Sequence, residues 1–159
     1  MSNRSETLNI WLKSVFDTDA YQLSIASEDA SFRRYYRVLI EGMSYIVMDA
    51  PPEYEDTAPF INITHKLQLS NIHVPEIHAS DTRQGFLLLT DFGNELYLNN
   101  LNENTVDTLY ADAINTLVSM QLKTDATDLE LYNAPLLNRE LALFSDWLIK
   151  RHVGLELDG

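Results

Sequence analysis

The pattern of apolar residues changes once along this chain of 159 residues, near the segment FLLLTDFGN at positions 86–94. Before that segment, short runs rich in β-branched and aromatic residues alternate with turn residues, a pattern typical of an antiparallel sheet. After it, apolar residues recur at helical spacing in two long stretches. We therefore predict an α+β fold, in which the sheet-forming sequence comes first and the helical sequence second.

The predicted elements before this change are one helix, three strands, a second helix and two more strands. The second and third strands are joined by Glu41 and Gly42, which favour a tight turn. Two further helices are predicted, one along the apolar stripe from Val106 to Val118 and one from Pro135 to about Gly154. The earlier helices are predicted at residues 5–16 and 59–70, and the strands at residues 21–27, 32–40, 44–49, 76–81 and 86–91.

Charge and composition argue against several classes of function. The chain has 24 acidic and 11 basic residues, and its formal net charge of −13 repels nucleic-acid backbones and anionic lipid surfaces. We therefore predict no nucleic-acid partner and no membrane partner. The chain has no cysteine, and its N-terminus lacks the apolar core of a signal peptide, so we predict a cytoplasmic protein.

Basic residues cluster at one place, where Arg33, Arg34 and Arg37 lie within five positions of each other. On a strand, Arg33 and Arg37 share one face and Arg34 points to the other. The preceding turn at residues 29–31, Asp-Ala-Ser, offers backbone amides that suit an anion. Two interpretations remain open: the arginines bind an anion through bidentate hydrogen bonds, or they pair with surface carboxylates.

Other candidate groups have weaker patterns. Asp91 lies in an Asp-Phe-Gly triplet, which holds magnesium in protein kinases, but no His-Arg-Asp catalytic loop precedes it. The four histidines lack the spacing of metal ligands, so we predict neither a metal-ligating nor a catalytic residue in this chain. The acidic residues Glu53, Glu55 and Asp56 are interpreted as part of a solvated loop.

Several segments together resemble one family of enzymes. They are DASFRRYYRV, SYIVMDAPPEYED, NIHVPEI, FLLLTDFG and LLNRELALFSDWLIKRHVGL, and they extend over nearly the whole chain. In this order they resemble the aminoglycoside phosphotransferase and choline kinase-like superfamily. Within it, the chain looks most like the bacterial anomeric kinases of N-acetylmuramate and N-acetylglucosamine, which act in cell-wall recycling.

The resemblance implies a protein kinase-like small lobe at residues 1–91, with a five-stranded antiparallel sheet and flanking helices, followed at residues 92–159 by the first helices of a helical large lobe. It implies ATP as the nucleotide, magnesium as the metal and an amino sugar as the acceptor of the intact enzyme. The implied nucleotide-binding residues lie in the hairpin over the phosphates, on the third strand and in the connection between the lobes. They are Ser31, Arg33, Arg34, Met48, Thr90, Asp91 and Phe92.

Two departures from the family pattern affect this expectation. Kinase-like folds carry a basic residue on the third strand and a glutamate on the next helix, where this chain has Met48 and, by our alignment, Asn62. We therefore expect Arg33 or Arg34 to supply the missing cation. The chain also lacks the H-x-D-x-x-x-x-N loop and the metal-binding aspartate, so we do not expect it to be active alone.

These departures leave different functions open. The chain is expected to be the N-terminal part of a sugar kinase, as a fragment or as the product of a truncated gene. One alternative is a non-catalytic kinase-like module that binds a nucleotide or docks a partner, and another is an interaction domain that binds no nucleotide. Because the helices of an incomplete large lobe leave apolar faces uncovered, we also expect self-association.

Overall fold

The protein is described by a computed structural model that covers residues 4–28 and 31–156. Its sheet has five antiparallel strands in the order β1-β2-β3-β5-β4. The predicted sheet with flanking helices is confirmed, and the predicted boundaries of its five strands and two flanking helices agree to within two residues. The strands are β1 (Gln22–Glu28), β2 (Arg34–Ile40), β3 (Met43–Asp49), β4 (Ile77–Asp81) and β5 (Phe86–Thr90), and the flanking helices are α1 (Arg4–Phe16) and α2 (Ala58–Leu69).

The turn between β2 and β3 determines how these two strands are aligned. Glu41 and Gly42 have φ angles of 51° and 81°. Positive φ at both central residues is the requirement of a type I′ turn, whose twist matches that of the strands. Across the hairpin, Ile40 is opposite Met43 and Tyr35 is opposite Met48. The turn therefore decides which side chains of β2 and β3 lie next to each other.

One face of the sheet is covered by α1, and we call it the α1 face. Leu8, Trp11 and Leu12 are buried there at helical spacing. The Trp11 ring lies 5.4 Å from the Phe86 ring, measured between centroids. The buried strand residues of this core are Val38, Val47, Phe86 and Leu88.

The opposite face, which we call the α2 face, has a separate core. Phe60 and Ile61 of α2 pack there against four buried residues. Because neighbouring strand residues point to opposite sides, Tyr35 packs on the α2 face and Tyr36 on the α1 face, as predicted. The four buried residues are Met48, Ala50, Leu87 and Leu89.

The turn before β5 brings two backbone segments into close contact. The Ala50 amide donates to the Gly85 carbonyl at 2.9 Å. A Cβ atom on Gly85 would lie 1.8 Å from the Ala50 carbonyl oxygen, and Gly85 has a φ of 73°. A side chain is therefore sterically excluded at this position.

The chain forms two compact units, one up to Thr124 and one from Asp125 onward. The first unit ends with α3 (Tyr97–Asn100), a single turn that the sequence pattern does not predict, and with α4 (Val106–Lys123). The predicted start of α4 is confirmed. The predicted lobe boundary between residues 91 and 92 is a different division and stays a prediction.

The second unit is helical. Helix α5 (Ala134–Leu143) starts at the N-cap Asn133, whose side-chain oxygen accepts a hydrogen bond from the Leu136 amide at 3.1 Å. It continues as a π-type segment (Phe144–Val153) and ends at Gly154, which has a left-handed φ of 75°. The predicted position of this helix is confirmed. None of the described helices is long and apolar enough to cross a bilayer.

Candidate functional site

A cavity of about 510 Å³ lies on the α2 face of the sheet, beside the residues that follow β5. One wall is formed by side chains of the sheet and of α2, and the other by residues 90–94. We call it the sheet cavity, and we call residues 90–94 the connecting segment. Outside the connecting segment, the sheet cavity is lined by Ala26, Ser27, Tyr35, Arg37, Ile46, Phe60, Pro75, Leu89 and Leu96.

The sheet cavity is apolar on its sheet side and carries polar backbone groups at its edge. Ile46 and Leu89 are opposite each other on β3 and β5, and Phe60 of α2 packs on the same face. The Phe92 amide and carbonyl form no hydrogen bond with any other residue in the described ranges. A flat apolar ring with polar edges fits this arrangement, because side chains cover its faces while backbone groups pair with its edge.

Asp91, the aspartate of the Asp-Phe-Gly triplet, is held by side chains from two strands. Arg37 of β2 donates from Nε to Oδ2 at 2.6 Å and from Nη2 to Oδ1 at 3.0 Å. Ser44 of β3 donates its hydroxyl to Oδ2, and the Gly93 amide donates to Oδ1 at 2.8 Å. We call Arg37, Ser44 and Asp91 the clamp.

The clamp makes Asp91 a stronger acid. The hydrogen bond from Arg37 has the largest effect on its pKa, burial acts in the opposite direction, and hydrogen bonds from Ser44 and Gly93 add to the effect of Arg37. Together they lower the pKa of Asp91 to about 2. At neutral pH the carboxylate is therefore ionised and surrounded by a guanidinium, a hydroxyl and an amide, which are all hydrogen-bond donors.

A second cavity of about 330 Å³ shares Ser27 and Tyr35 with the sheet cavity, and we call it the arginine cavity. Three predicted site residues, Ser31, Arg33 and Arg34, contribute to its lining. The Ser31 hydroxyl accepts a hydrogen bond from the Arg33 amide at 3.1 Å. Residues 29 and 30, the rest of the predicted anion-binding turn, lie outside the described residues.

Arg33 is paired with a carboxylate inside the protein. Its Nε donates to Glu55 Oε2 at 3.0 Å, and the Glu55 side chain is 15% exposed. The interpretation of Glu55 as a solvated loop residue is therefore wrong, because the loop folds back and partly buries the Glu55 side chain against Arg33. Burial lowers the pKa of Arg33, but the interactions with Glu55 and with Tyr35 outweigh burial and raise the pKa above its ordinary value. The guanidinium therefore stays charged.

Arg34 has different surroundings from Arg33. It forms no ion pair with any residue in the described part of the chain. Besides the arginine cavity, it lines a groove beside α1 together with Arg4 and Asp49. The two neighbouring arginines therefore lie in different electrostatic environments. Pairing with carboxylates holds for Arg33 and Arg37, while Arg34 has no such partner among the described residues, and anion binding stays a prediction.

The other predicted site residues differ in accessibility. Met48 is fully buried in the α2-face core and lines neither cavity. Thr90, Asp91 and Phe92 all line the sheet cavity. The Thr90 hydroxyl accepts a hydrogen bond from the Glu76 amide at 3.1 Å, which ties the start of the connecting segment to the chain before β4.

Several residues of the sheet cavity and of the clamp are not predicted from the sequence. Arg37 is predicted in the arginine cluster but not in the site, and no role is predicted for Ser44 of the clamp or for Ile46 of the sheet cavity. The strand alternation that puts Arg37 beside Tyr35 is visible in the sequence, whereas the positions of Ser44 and Ile46 depend on the register of β3. In the described part, no group of three His, Asp or Glu side chains is arranged to hold a metal ion.

Comparison with known proteins agrees with the observed fold. The model of the APH family, described as the phosphotransferase enzyme family, matches residues 22–159. The chain belongs to this family. Its five-stranded antiparallel sheet with flanking helices is consistent with the kinase-like small lobe of the APH family.

Three curated relatives carry the name N-acetylmuramate/N-acetylglucosamine kinase. The Pseudomonas putida protein is 41% identical over 162 residues, covering 96% of this chain and 48% of the relative. The Pseudomonas aeruginosa protein is 41% identical over 166 residues, covering 98% of this chain and 49% of the relative. The Neisseria meningitidis protein is 33% identical over 159 residues, covering 97% and 47%. The chain thus spans about half the length of the curated relatives it matches.

Proposed function

We propose that this chain is the ATP-binding N-terminal portion of a small-molecule phosphotransferase, a kinase of cell-wall amino sugars. The observation that carries the proposal is the junction of two unlike cavities, one apolar and one containing Arg33, through Ser27 and Tyr35. ATP has the same division, with an apolar base at one end and an anionic triphosphate at the other. The family and the names of the relatives support the same assignment.

In this proposal the adenine base lies in the sheet cavity. Ile46 and Leu89 cover one face of the ring, and Phe60 contributes to the same apolar wall. The connecting segment, with Thr90, Asp91 and Phe92, lies along the edge of the base. The free backbone groups of Phe92 are suited to pair with that edge, in the way that a few well-placed polar groups orient a ligand in an apolar pocket.

The phosphates lie in the arginine cavity, near Ser31, Arg33 and Arg34. Arg33 is the better placed of the two arginines, because it lies beside Tyr35, which borders both cavities. A guanidinium held by Glu55 would supply the cation that Met48 cannot supply from β3, in the way that a carboxylate holds the phosphate-binding lysine of kinases. Arg34 remains a second candidate for this role.

The phosphoryl transfer itself is proposed for a longer enzyme. In kinases, magnesium neutralises the charge that develops on the transferred group. The described residues form no metal-binding group, and donors already surround the Asp91 carboxylate, so the proposal includes no magnesium site among them. The proposed acceptor is N-acetylmuramate or N-acetylglucosamine, after the names of the relatives, and the proposed position is the anomeric hydroxyl, as the family resemblance implies. We propose a cytoplasmic location, and we do not expect turnover by this chain alone.

Titration calorimetry of this chain with ATP, adenosine and inorganic tripolyphosphate tests the proposal. We expect all three to bind, and ATP most tightly, because only ATP fills both cavities. Arg33→Met is expected to weaken ATP and tripolyphosphate by about tenfold, more than the matched variant Arg34→Met does, while adenosine binding is unchanged. Absence of binding by both ATP and adenosine would overturn the proposal and favour an interaction domain.

The runner-up function is a non-catalytic module that binds nucleotide, and the burial of Met48 at the usual position of the phosphate-binding lysine favours it. Adding the C-terminal half of the Pseudomonas putida relative as a separate polypeptide distinguishes the two functions. Recovery of ATP-dependent sugar phosphorylation supports the kinase portion, with the intact relative as the positive control. Nucleotide binding without any recovered turnover supports the module.

Self-association is proposed for the exposed apolar side of α4. Tyr110, Ile114 and Leu117 lie there at helical spacing and are each about half exposed, and Leu122 is 79% exposed. Light scattering should therefore give a mass above that of one chain, and Ile114→Glu should lower it. A monomer at high concentration would contradict this proposal without affecting the nucleotide site.

A further inference from the structure

We propose that the clamp of Arg37, Ser44 and Asp91 positions the connecting segment for the base of the nucleotide. The proposal rests on the proposed function and adds residues that hold the segment and do not touch the phosphates. In this role the clamp keeps the Phe92 backbone at the edge of the sheet cavity. Breaking the clamp should therefore weaken binding of the base and leave phosphate binding nearly unchanged.

The geometry of the clamp ties the connecting segment to two strands. Arg37 lies on β2 and Ser44 on β3, while Asp91 directly follows β5, the other neighbour of β3. The two Asp91 carboxylate oxygens accept from four donor atoms, which belong to Arg37, Ser44 and Gly93. A carboxylate with this many directional partners has one favoured orientation, so the backbone that carries it is also fixed.

Arg37 also holds the far end of the segment. Its Nη2 atom donates to Asn94 Oδ1 at 2.9 Å and lies 3.4 Å from the Gly93 carbonyl oxygen. One guanidinium therefore contacts the residues on both sides of Phe92. The Phe92 ring in turn lies 4.7 Å from the His73 ring, measured between centroids. The Phe92 backbone is thus held in place while its amide and carbonyl are left for a ligand.

Beyond Thr90, the last residue of β5, the connecting segment needs this support because regular structure does not hold it. In the described chain, β5 ends at Thr90 and the next helix begins at Tyr97. Gly93 lies between them with a φ of 79°, a conformation that glycine adopts at little cost and that leaves the backbone easy to reorganise. The hydrogen bonds of the clamp therefore hold this segment in place, as strand pairing holds the strands of the sheet.

The clamp is far from the groups proposed to bind phosphate. Arg33 and Arg37 are four residues apart along the same extended chain, which separates their Cα atoms by roughly 13 Å. Arg37 lines the sheet cavity and Arg33 lines the arginine cavity. Substitution of Arg37 should therefore weaken adenosine and leave tripolyphosphate nearly unchanged, whereas substitution of Arg33 should weaken tripolyphosphate and leave adenosine unchanged.

Titration calorimetry with adenosine and tripolyphosphate as separate probes tests the proposal on this chain. Asp91→Asn removes the negative charge of the clamp, and Arg37→Met removes its guanidinium. Each is expected to weaken adenosine about tenfold and to change tripolyphosphate by less than about twofold. Ser44→Ala removes one donor, so we expect a loss of about threefold, and it serves as the test should the stronger variants fail to fold. Arg37→Lys should recover only part of the loss, because lysine lacks the two-pronged geometry.

Val38→Ala is the matched control for stability. Val38 is the next residue on β2, is fully buried and packs on the α1 face. We expect this variant to lower the melting temperature without changing adenosine affinity. Equal weakening of both probes by the clamp variants, or unchanged adenosine affinity in all of them, would overturn the positioning role. If the unaltered chain binds neither adenosine nor ATP, the proposed function itself fails, which is a distinct result.

Discussion

Two arginine–aspartate pairs lie on opposite faces of the same sheet and connect different parts of the protein. On the α1 face, Arg4 donates to Asp49 at 2.6 Å and to the Gln84 carbonyl at 2.5 Å. On the α2 face, Arg37 holds Asp91. The first pair joins a helix to the end of the sheet and lines the groove beside α1, and the second joins the sheet to a segment that lines the sheet cavity. The same chemistry thus fixes a helix on one face and a cavity-lining segment on the other.

Burial of the carboxylate is the property that allows these pairs to be compared. The Asp49 side chain is 2% exposed and that of Asp91 is 5% exposed. Glu55, the partner of Arg33, is 15% exposed, whereas Asp19, the partner of Lys13, is 79% exposed. Removal of one partner is costly only where the remaining charge cannot be hydrated. We therefore expect the contribution of the four pairs to the free energy of unfolding to decrease as the exposure of the carboxylate increases, and we call this order the graded series.

The largest effect is expected from Arg4→Met. This variant leaves the Asp49 carboxylate buried without its guanidinium, so the free energy of unfolding should fall by about 3 to 5 kcal/mol. Urea unfolding measures the loss. The double variant Arg4→Met/Asp49→Leu should recover most of it, because it removes the buried charge as well. If the free energy of unfolding of the single variant is unchanged within experimental error, water reaches Asp49. Burial of the carboxylate would then not explain the difference between the pairs.

The next effect concerns the pH dependence that Asp91 contributes. Its pKa in the folded protein is about 2, below the ordinary value of 3.8, so its contribution to stability is present above pH 4 and is lost as the pH falls towards 2. That contribution is on the order of 1 to 2 kcal/mol after allowance for solvent screening. The difference in unfolding free energy between the unaltered chain and Asp91→Asn should therefore shrink across this range. A difference that does not change with pH would contradict the pairing.

A smaller effect is expected at the Arg33–Glu55 pair. Glu55→Gln removes the charge but keeps a hydrogen-bond acceptor, so the free energy of unfolding should fall by about 1 kcal/mol. Glu53→Gln, in the same loop and exposed, is the matched control and should leave stability unchanged. Chemical unfolding of both variants decides the point. Equal values for the two would place Glu55 among the solvated residues after all.

The smallest effect is expected at the Lys13–Asp19 pair. Both side chains are mostly exposed, so water and salt screen the attraction. Lys13→Ala should leave the thermal midpoint unchanged within about 1 °C, at low and at high salt. A clear decrease in the thermal midpoint at low salt only would show that an exposed pair also stabilises this protein. The graded series would then not hold for its most exposed pair.

The helices and strands were largely predictable, because their evidence is local. The stripe of Leu8, Trp11 and Leu12 predicts α1, and the dipeptide at Glu41 and Gly42 predicts the hairpin that the φ angles confirm. The single turn α3 was missed because four residues are too few to establish a period. The assignment of Ser31, Arg33 and Arg34 to a nucleotide came from family resemblance and stays a prediction.

By itself, the amino-acid sequence determined the order of the elements and the two-sided alternation along β2, since both depend on residues close together in the chain. Only the tertiary structure decided which charges meet. Arg37 and Asp91 are 54 residues apart, and Arg4 and Asp49 are 45 apart, so no local pattern records either pair. Strand order and register bring them together, and the burial of each carboxylate then determines how strongly its pair holds the fold.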